Sequence, residues 1–383
     1  MEKTKKKSKW MNLAWFPYFL ILFEMLYMAT PFAVYFYSVY QFPLKFLNEN
    51  ALTAGLIQTV FPHFVETNSQ IIHWTVDSGW ILMVIGLCAF SVGFFQIYYA
   101  KFRKKGAVTG GIYSLIRHPQ YAAWILFGLG MALIWSRLIV WIMYVSMIFI
   151  YYFLARAEEK ECMEKFPETY PAYFKKTGRF HPFFRSGSGF RIPFPKSPAF
   201  YTASVFMIYV ISITLTILSA RVLREYSIPC MSTAAGEGYM AVSLNYIPPE
   251  ITQKTVDILL ADQRVKARMD SLFTGGDAKI MYVMPQTWKV SELGMTTGFN
   301  EGDDPAARTV SHGNPEDVNP LKKRVLVSKA YLTEESDSSD ILKNLKQQKP
   351  KLYVDIDLET GTVTSISLPP EEGIYSDIPV PVF

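Results

Sequence analysis

"GGIYSLIRHPQYAAWILFGLG" (residues 110–130) sets an arginine and a histidine directly against a long apolar run. Gly110-Gly111 permits a tight turn. Pro119 suits the first turn of a helix, where its missing N–H costs nothing. Arg117 and His118 then stand at a helix N-terminus, where free backbone N–H groups can take an anion. In the plain reading Arg117 meets lipid phosphates and His118 caps the helix. In the functional reading both stand at the mouth of a site. The surroundings decide between them.

The chain has 383 residues, 50% apolar and 15% aromatic, an excess over ordinary soluble domains that is concentrated before about residue 223. Residues 224–383 read instead as a soluble domain. The division is therefore a membrane unit, 1–223, and an appended domain, 224–383. The net charge of +5 is modest, and the basic residues cluster beside the apolar runs, as topology signals do. They do not form a nucleic-acid surface. Cys88, Cys162 and Cys230 are far apart with no CxxC pair, and the 5 histidines are scattered. Neither a disulfide framework nor a metal cluster follows from that spacing.

Five apolar segments are expected to span: 14–38, 79–100, 121–135, 138–155 and 200–222. The first follows Lys3–Lys9 and is too long for a signal peptide. It carries Glu24, an intramembrane acid. The third is short, which predicts a tilted or tightly turned hairpin with the fourth. Residues 51–65 are apolar but too short to cross, and are expected at the interface or capping the bundle. His73 and Asp77 are expected at the outer edge of the second span. Lysines and arginines precede span one and follow spans two and four, which puts those ends on the cytoplasmic face. An odd number of spans then sends the C-terminal domain across. Arg221 and Arg224 lie on the wrong side for this arrangement. The chain has no N-x-[ST] acceptor, which leans toward a prokaryotic cell membrane.

The C-terminal part reads as α+β. Residues 250–273 carry apolar positions at helical spacing. Residues 351–368 alternate about Glu359-Thr360-Gly361, a hairpin signal. The acidic run 333–340 reads as a solvated helix start or loop. Ser328 and His312 are isolated and form no nucleophile–base set.

A second polar cluster changes the reading of the first. In "ARAEEKECM" (155–163) Glu158 and Glu159 come as span four leaves the bilayer, where acids oppose the helix dipole and gain nothing locally. A hairpin of spans three and four brings Arg117, His118, Glu158 and Glu159 to one cytoplasmic pocket.

These residues also carry a resemblance. "TGGIYSLIRHPQYAA" resembles the G-x-Y-x-x-x-R-H-P-x-Y-x-G stretch of the isoprenylcysteine carboxyl methyltransferase and phospholipid methyltransferase superfamily. "EEKECMEKFPETYPAYFKKTGRFHPF" (158–183) resembles its second motif, a Glu-Glu pair followed by spaced tyrosines and a basic segment. The likeness covers roughly residues 75–185. Ala123 and Pro167 stand where the superfamily usually has glycine.

The resemblance implies an all-α integral membrane bundle that binds S-adenosyl-L-methionine and methylates a lipid-like or hydrophobic acceptor. It implies Tyr113, His118, Pro119, Tyr121, Glu158 and Glu159 around the cofactor, with Arg117 and Glu159 in the catalytic role. Tyr170, Tyr173 and Arg179 would line the acceptor side, and His181 falls in the same motif. Carboxylates can accept from the cofactor's hydroxyls or ammonium, and an arginine can pair with its carboxylate. The acceptor is expected to arrive laterally from the bilayer. Methyl transfer chiefly needs alignment and exclusion of water.

Two other readings stay open. Membrane sterol and steroid reductases carry a similar R-H-P-x-Y with a reduced nicotinamide cofactor. The chain could also be a non-catalytic anchor for its C-terminal domain, which faintly resembles PepSY modules.

Overall fold

The computed structural model describes residues 42, 45–50, 53–62, 65–103, 108–183, 197–288, 290, 293, 319–333 and 337–370. The expected first span and Glu24 lie outside them, as does His312. The described residues fall into two compact units, one built on residues 73–220 and the other on residues between 42 and 72 together with those between 221 and 370.

The first unit is helical: α1 (Gln70–Phe102), α2 (Pro119–Ile134), α3 (Leu138–Lys165), α4 (Tyr170–Lys176) and α5 (Pro198–Ser227). Among the described residues three of these, α1, α3 and α5, are long and apolar enough to cross a membrane. The helix that carries the expected span at 79–100 starts nine residues earlier, so His73 and Asp77 lie in its first turns. With 16 residues, α2 is only about 24 Å long, short of the ~30 Å hydrocarbon core. Among the described residues, the four later expected spans correspond to three long helices and one short apolar one. α3 runs to Lys165, ten residues past the expected end at 155, and stops where Pro167 disfavours helix for Phe166 (φ −128°, ψ 60°).

The missing side chains of glycines let α1 and α2 approach closely. A Cβ on Gly86 would sit 2.6 Å from the Phe127 nitrogen and 2.7 Å from the Ala123 carbonyl oxygen, and one on Gly130 would sit 2.4 Å from the Gly79 oxygen. Ala123 is therefore buried in a helix contact, and Gly86 opposite provides the room that a glycine at 123 would have given. The outward faces of α1 and α5, with Ile81, Phe95, Phe206 and Leu215, are exposed and apolar, as lipid-facing surfaces are.

In the second unit β1 (Thr233–Gly236), β2 (Tyr239–Ser243), β3 (Lys279–Pro285), β4 (Lys322–Leu332), β5 (Leu345–Asp357) and β6 (Thr362–Ser367) form one sheet in sequence order. Every pairing is antiparallel except β2–β3, which are parallel and joined through α6 (Pro249–Ala261) and α7 (Gln263–Leu272). The expected single helix over 250–273 is two, because Asp262 leaves the helix (ψ 120°) and its carboxylate caps α7 at the Arg264 and Val265 nitrogens. The expected hairpin forms as β5–β6, with Gly361 at φ +67° in its turn. Of the acidic run, Ser338–Asp340 form a 3₁₀ turn.

One face of the sheet buries Met281, Val283, Val325 and Val354 beneath α6 and α7, while the other buries Ile280, Tyr282, Met284 and Leu326. Ser328 is buried in the sheet with its hydroxyl unpartnered.

The described residues of the segment 51–65 belong to this unit. Val65 packs in the second core with Ile228 and Met231. The neighbouring backbone joins it there. Glu66 N donates to Leu244 O at 2.8 Å and Asn68 N to Cys230 O at 2.9 Å, and Thr67 bridges Met231. Ser69 and Tyr226 hydroxyls lie 3.1 Å apart. Arg224 is no topology signal: its guanidinium donates to Gln58 Oε1 and to Leu342 O.

Candidate active site

Backbone pairing brings the two motifs together before any side chain does. Arg117 N donates to Gly178 O at 2.9 Å and His118 N to Arg179 O at 3.1 Å, continuing a parallel bridge between Ile116 and Gly178. Pro119 opens α2 at its first position, and His118 is the N-cap residue, with no side-chain cap bond. The plain role foreseen for His118 as a capping side chain is not taken up. Its ring is directed at the two glutamates, with Nδ1 3.4 Å from Glu158 Oε2 and Nε2 3.4 Å from Glu159 Oε1. The second contact lacks hydrogen-bond geometry, so Nε2 is left without a hydrogen-bond partner.

The glutamates face different surroundings. They lie within α3, more than a turn before its end, so the dipole conflict expected of them does not arise. The Glu159 side chain is 6% exposed and receives Arg117 Nε at 2.8 Å and Arg179 through Nε (3.0 Å) and Nη2 (2.6 Å). The Glu158 side chain is 44% exposed and receives the Tyr121 hydroxyl at 2.5 Å. Tyr121 is held by stacking on Tyr151 at 4.6 Å and His118 at 5.6 Å. Arg117 also donates through Nη1 to Phe174 O (2.9 Å) and Thr177 O, with its guanidinium 4.2 Å from the centre of the Phe174 ring. Its Nη2 is the nitrogen left without a hydrogen bond among the described residues.

Beside this cluster lies a cavity of about 300 Å³, lined by Ile97 and Val108, by Tyr113, Arg117, His118, Gln120 and Tyr121, and by Glu158, Cys162, Phe166, Tyr170 and Tyr173. That is the lower end of the ~300–1,000 Å³ typical of ligand pockets. The Tyr113 hydroxyl is buried and unpartnered, while Tyr173 donates to Tyr113 O at 2.7 Å. Burial opposes a charge on His118, but Glu158 and Glu159 outweigh it and hold the imidazole above its ordinary value. Burial pushes Tyr173 up to about 12 against the pull of Arg117, and raises Tyr113 and Tyr170 as well. The three tyrosines are neutral phenols at physiological pH.

The expected residues thus divide. Tyr113, Arg117, His118, Tyr121, Glu158, Tyr170 and Tyr173 line the cavity, whereas Glu159 and Arg179 stand behind its wall, and His181 is exposed outside it. The sequence reading missed Ile97, Val108, Gln120, Cys162 and Phe166 as lining residues. Cys162 and Phe166 had a signal, since they follow Glu158 by one and two helical turns. Among the described residues there is no group of three metal-binding side chains.

Fold and cavity together define a helical membrane unit with a polar pocket at one end. Residues 78–168 match the family model of phospholipid methyltransferases. The matched stretch holds both motifs through Glu159 and ends before Tyr170. No curated protein and no solved structure matches the chain.

Proposed function

We propose that the protein transfers a methyl group from S-adenosyl-L-methionine to a lipid-like acceptor at the cytoplasmic face of the membrane. The observation that carries this reading is Glu158, a carboxylate held by Tyr121 at 2.5 Å and open to the cavity, inside the segment that matches the methyltransferase family.

The donor set suits the cofactor. Glu158 can accept from its ammonium or ribose hydroxyls, and Arg117 Nη2 can donate to its carboxylate. The Tyr113 hydroxyl is a buried polar atom that a ligand would satisfy. The aromatic rings of Tyr170 and Phe166 on the cavity wall suit a sulfonium cation. The bound cofactor would supply the electrophilic methyl. The chain's own part is to hold it, exclude water and align the acceptor. The apolar wall of Ile97 and Val108 fits an acceptor that arrives from the bilayer, and the C-terminal domain lies across the membrane in this reading.

Calorimetric titration of the purified protein with S-adenosyl-L-methionine and, separately, with reduced nicotinamide dinucleotide tests it. Saturable binding of the first alone is expected. Binding of the second alone would replace this reading with the reductase one.

A further inference from the structure

On the side of α3 away from the cavity lies a second polar cluster that the proposed reaction does not use. Arg156 sits one turn before Lys160 on the face of α3 that meets α5, and is exposed. The two helices meet along their length. Ser146 and Tyr209 hydroxyls are 2.8 Å apart, the Phe149 and Tyr209 rings are 5.3 Å apart, and Arg156 Nη1 donates to the Tyr201 hydroxyl. The Arg156 guanidinium lies 5.2 Å from the centre of the Tyr201 ring and 6.0 Å from that of Tyr152. Arg179 approaches the same Tyr152 ring at 4.8 Å. Two guanidiniums therefore flank one tyrosine at the end of the helical unit that carries the motifs.

The charges there do not cancel. Glu159 is shared between Arg117 and Arg179, which leaves one positive charge over, and Glu161 is paired with Lys165 at 2.6 Å. Glu158 faces the cavity. Arg156 has no acidic partner among the described residues. A planar guanidinium held on aromatic rings keeps its outer N–H groups free and fixed in direction, which suits the two oxygens of a phosphate. Basic clusters between spanning helices at the cytoplasmic boundary recognise lipid head groups in this way.

We propose that Arg156 and Arg179, with Tyr152 and Tyr201, form a binding site for the headgroup phosphate of an anionic phospholipid drawn from the surrounding bilayer. The site lies between α3 and α5 and is separate from the cofactor cavity.

The test uses the full chain in nanodiscs of phosphatidylcholine containing a minor fraction of phosphatidylglycerol, with retained lipid read by native mass spectrometry. It involves neither cofactor nor methyl transfer, so its outcome is independent of the proposed reaction. The wild type should retain phosphatidylglycerol about tenfold more than Arg156→Gln, as loss of a charge-assisted bidentate contact implies. Arg156→Lys keeps the charge without the planar fork and should also lose retention, while Lys160→Gln should not. Millimolar inorganic phosphate should fail to displace the lipid. Equal retention by wild type and Arg156→Gln would overturn the proposal. So would an equal loss in Lys160→Gln, which would reduce the site to a diffuse basic surface, or full displacement by inorganic phosphate.

Discussion

Glu159 and Arg179 are joined by two parallel hydrogen bonds, at 3.0 and 2.6 Å, on a carboxylate that also takes Arg117 Nε at 2.8 Å. This ties the start of α2, the body of α3 and the segment after α4 at one buried point. The motif alone suggests that either glutamate could be lost with the fold intact, because apolar packing holds spanning helices. For Glu159 the ion pairs argue otherwise. Glu159→Gln strands two guanidiniums, one of them almost wholly buried, and breaking such a pair is worth about 3–5 kcal/mol. The expected outcome is a lower melting temperature in detergent and loss of the cavity as a whole. A melting curve that matches the wild type would refute this role.

Glu158→Gln should behave differently. Its side chain is nearly half exposed and its one strong protein contact is the Tyr121 hydroxyl, which an amide oxygen can still accept. The fold should hold. Cofactor affinity should fall by about tenfold, the low end for a lost charge-assisted bond, because water screens a group this open. Titration calorimetry on both variants separates ligand from linchpin, and equal affinity losses with equal melting temperatures would merge the two roles again.

Much of this arrangement was legible in the chain. The apolar runs gave α1, α2, α3 and α5, and the alternation about Gly361 gave β5–β6. The convergence of Arg117, His118, Glu158 and Glu159 followed from treating α2 and α3 as a hairpin. What stayed hidden depends on contacts distant in sequence. Nothing local to Val65 says that it packs on Ile228 and Met231, and nothing near Arg224 says that it reaches Gln58. The unequal roles of the glutamates were invisible for the same reason. They are adjacent, but one turns to Arg179 and the other to Tyr121, and helix phase decides which.

The α1–α2 contact makes a steric prediction. A methyl group on Gly86 would meet backbone atoms at 2.6 and 2.7 Å, distances that only a shift of the helices can relieve. On Gly93 it would meet the Gln120 Cγ at 3.2 Å, the flexible part of a side chain. Gly86→Ala should therefore lower stability by about 1–3 kcal/mol, the range for overpacking, while Gly93→Ala is tolerated. Thermal unfolding of the two single variants reads the difference, and the reverse order would mean that α1 and α2 do not pack this way.

His118 supplies a pH dependence. Its folded-state value is held above the ordinary 6.5 because Glu158 and Glu159 together outweigh burial. A group raised on folding stabilises the folded state most when protonated. That contribution is complete below about pH 6.5 and is lost as pH rises through the higher folded value. The wild type should lose melting temperature across that window, and His118→Gln, which cannot titrate, should lose less. Parallel curves for the two proteins would show that the histidine carries no such linkage.

The three native cysteines allow the proposed topology to be tested without adding labels. Cys230 follows α5 in the sheet-containing unit, Cys162 lines the cavity, and Cys88 is exposed in the middle of α1, at the depth of the hydrocarbon. In the proposed topology, with the motifs facing the cytoplasm, Cys230 lies on the opposite side. In single-cysteine variants, a membrane-impermeant maleimide added to intact cells should modify Cys230 and spare Cys162. After permeabilisation Cys162 should react as well, and S-adenosyl-L-methionine should slow it by filling the cavity. Cys88 should stay unmodified in both conditions. Labelling of Cys162 in intact cells, with Cys230 protected, would invert the protein in the membrane and put the cavity outside the compartment where the cofactor is expected.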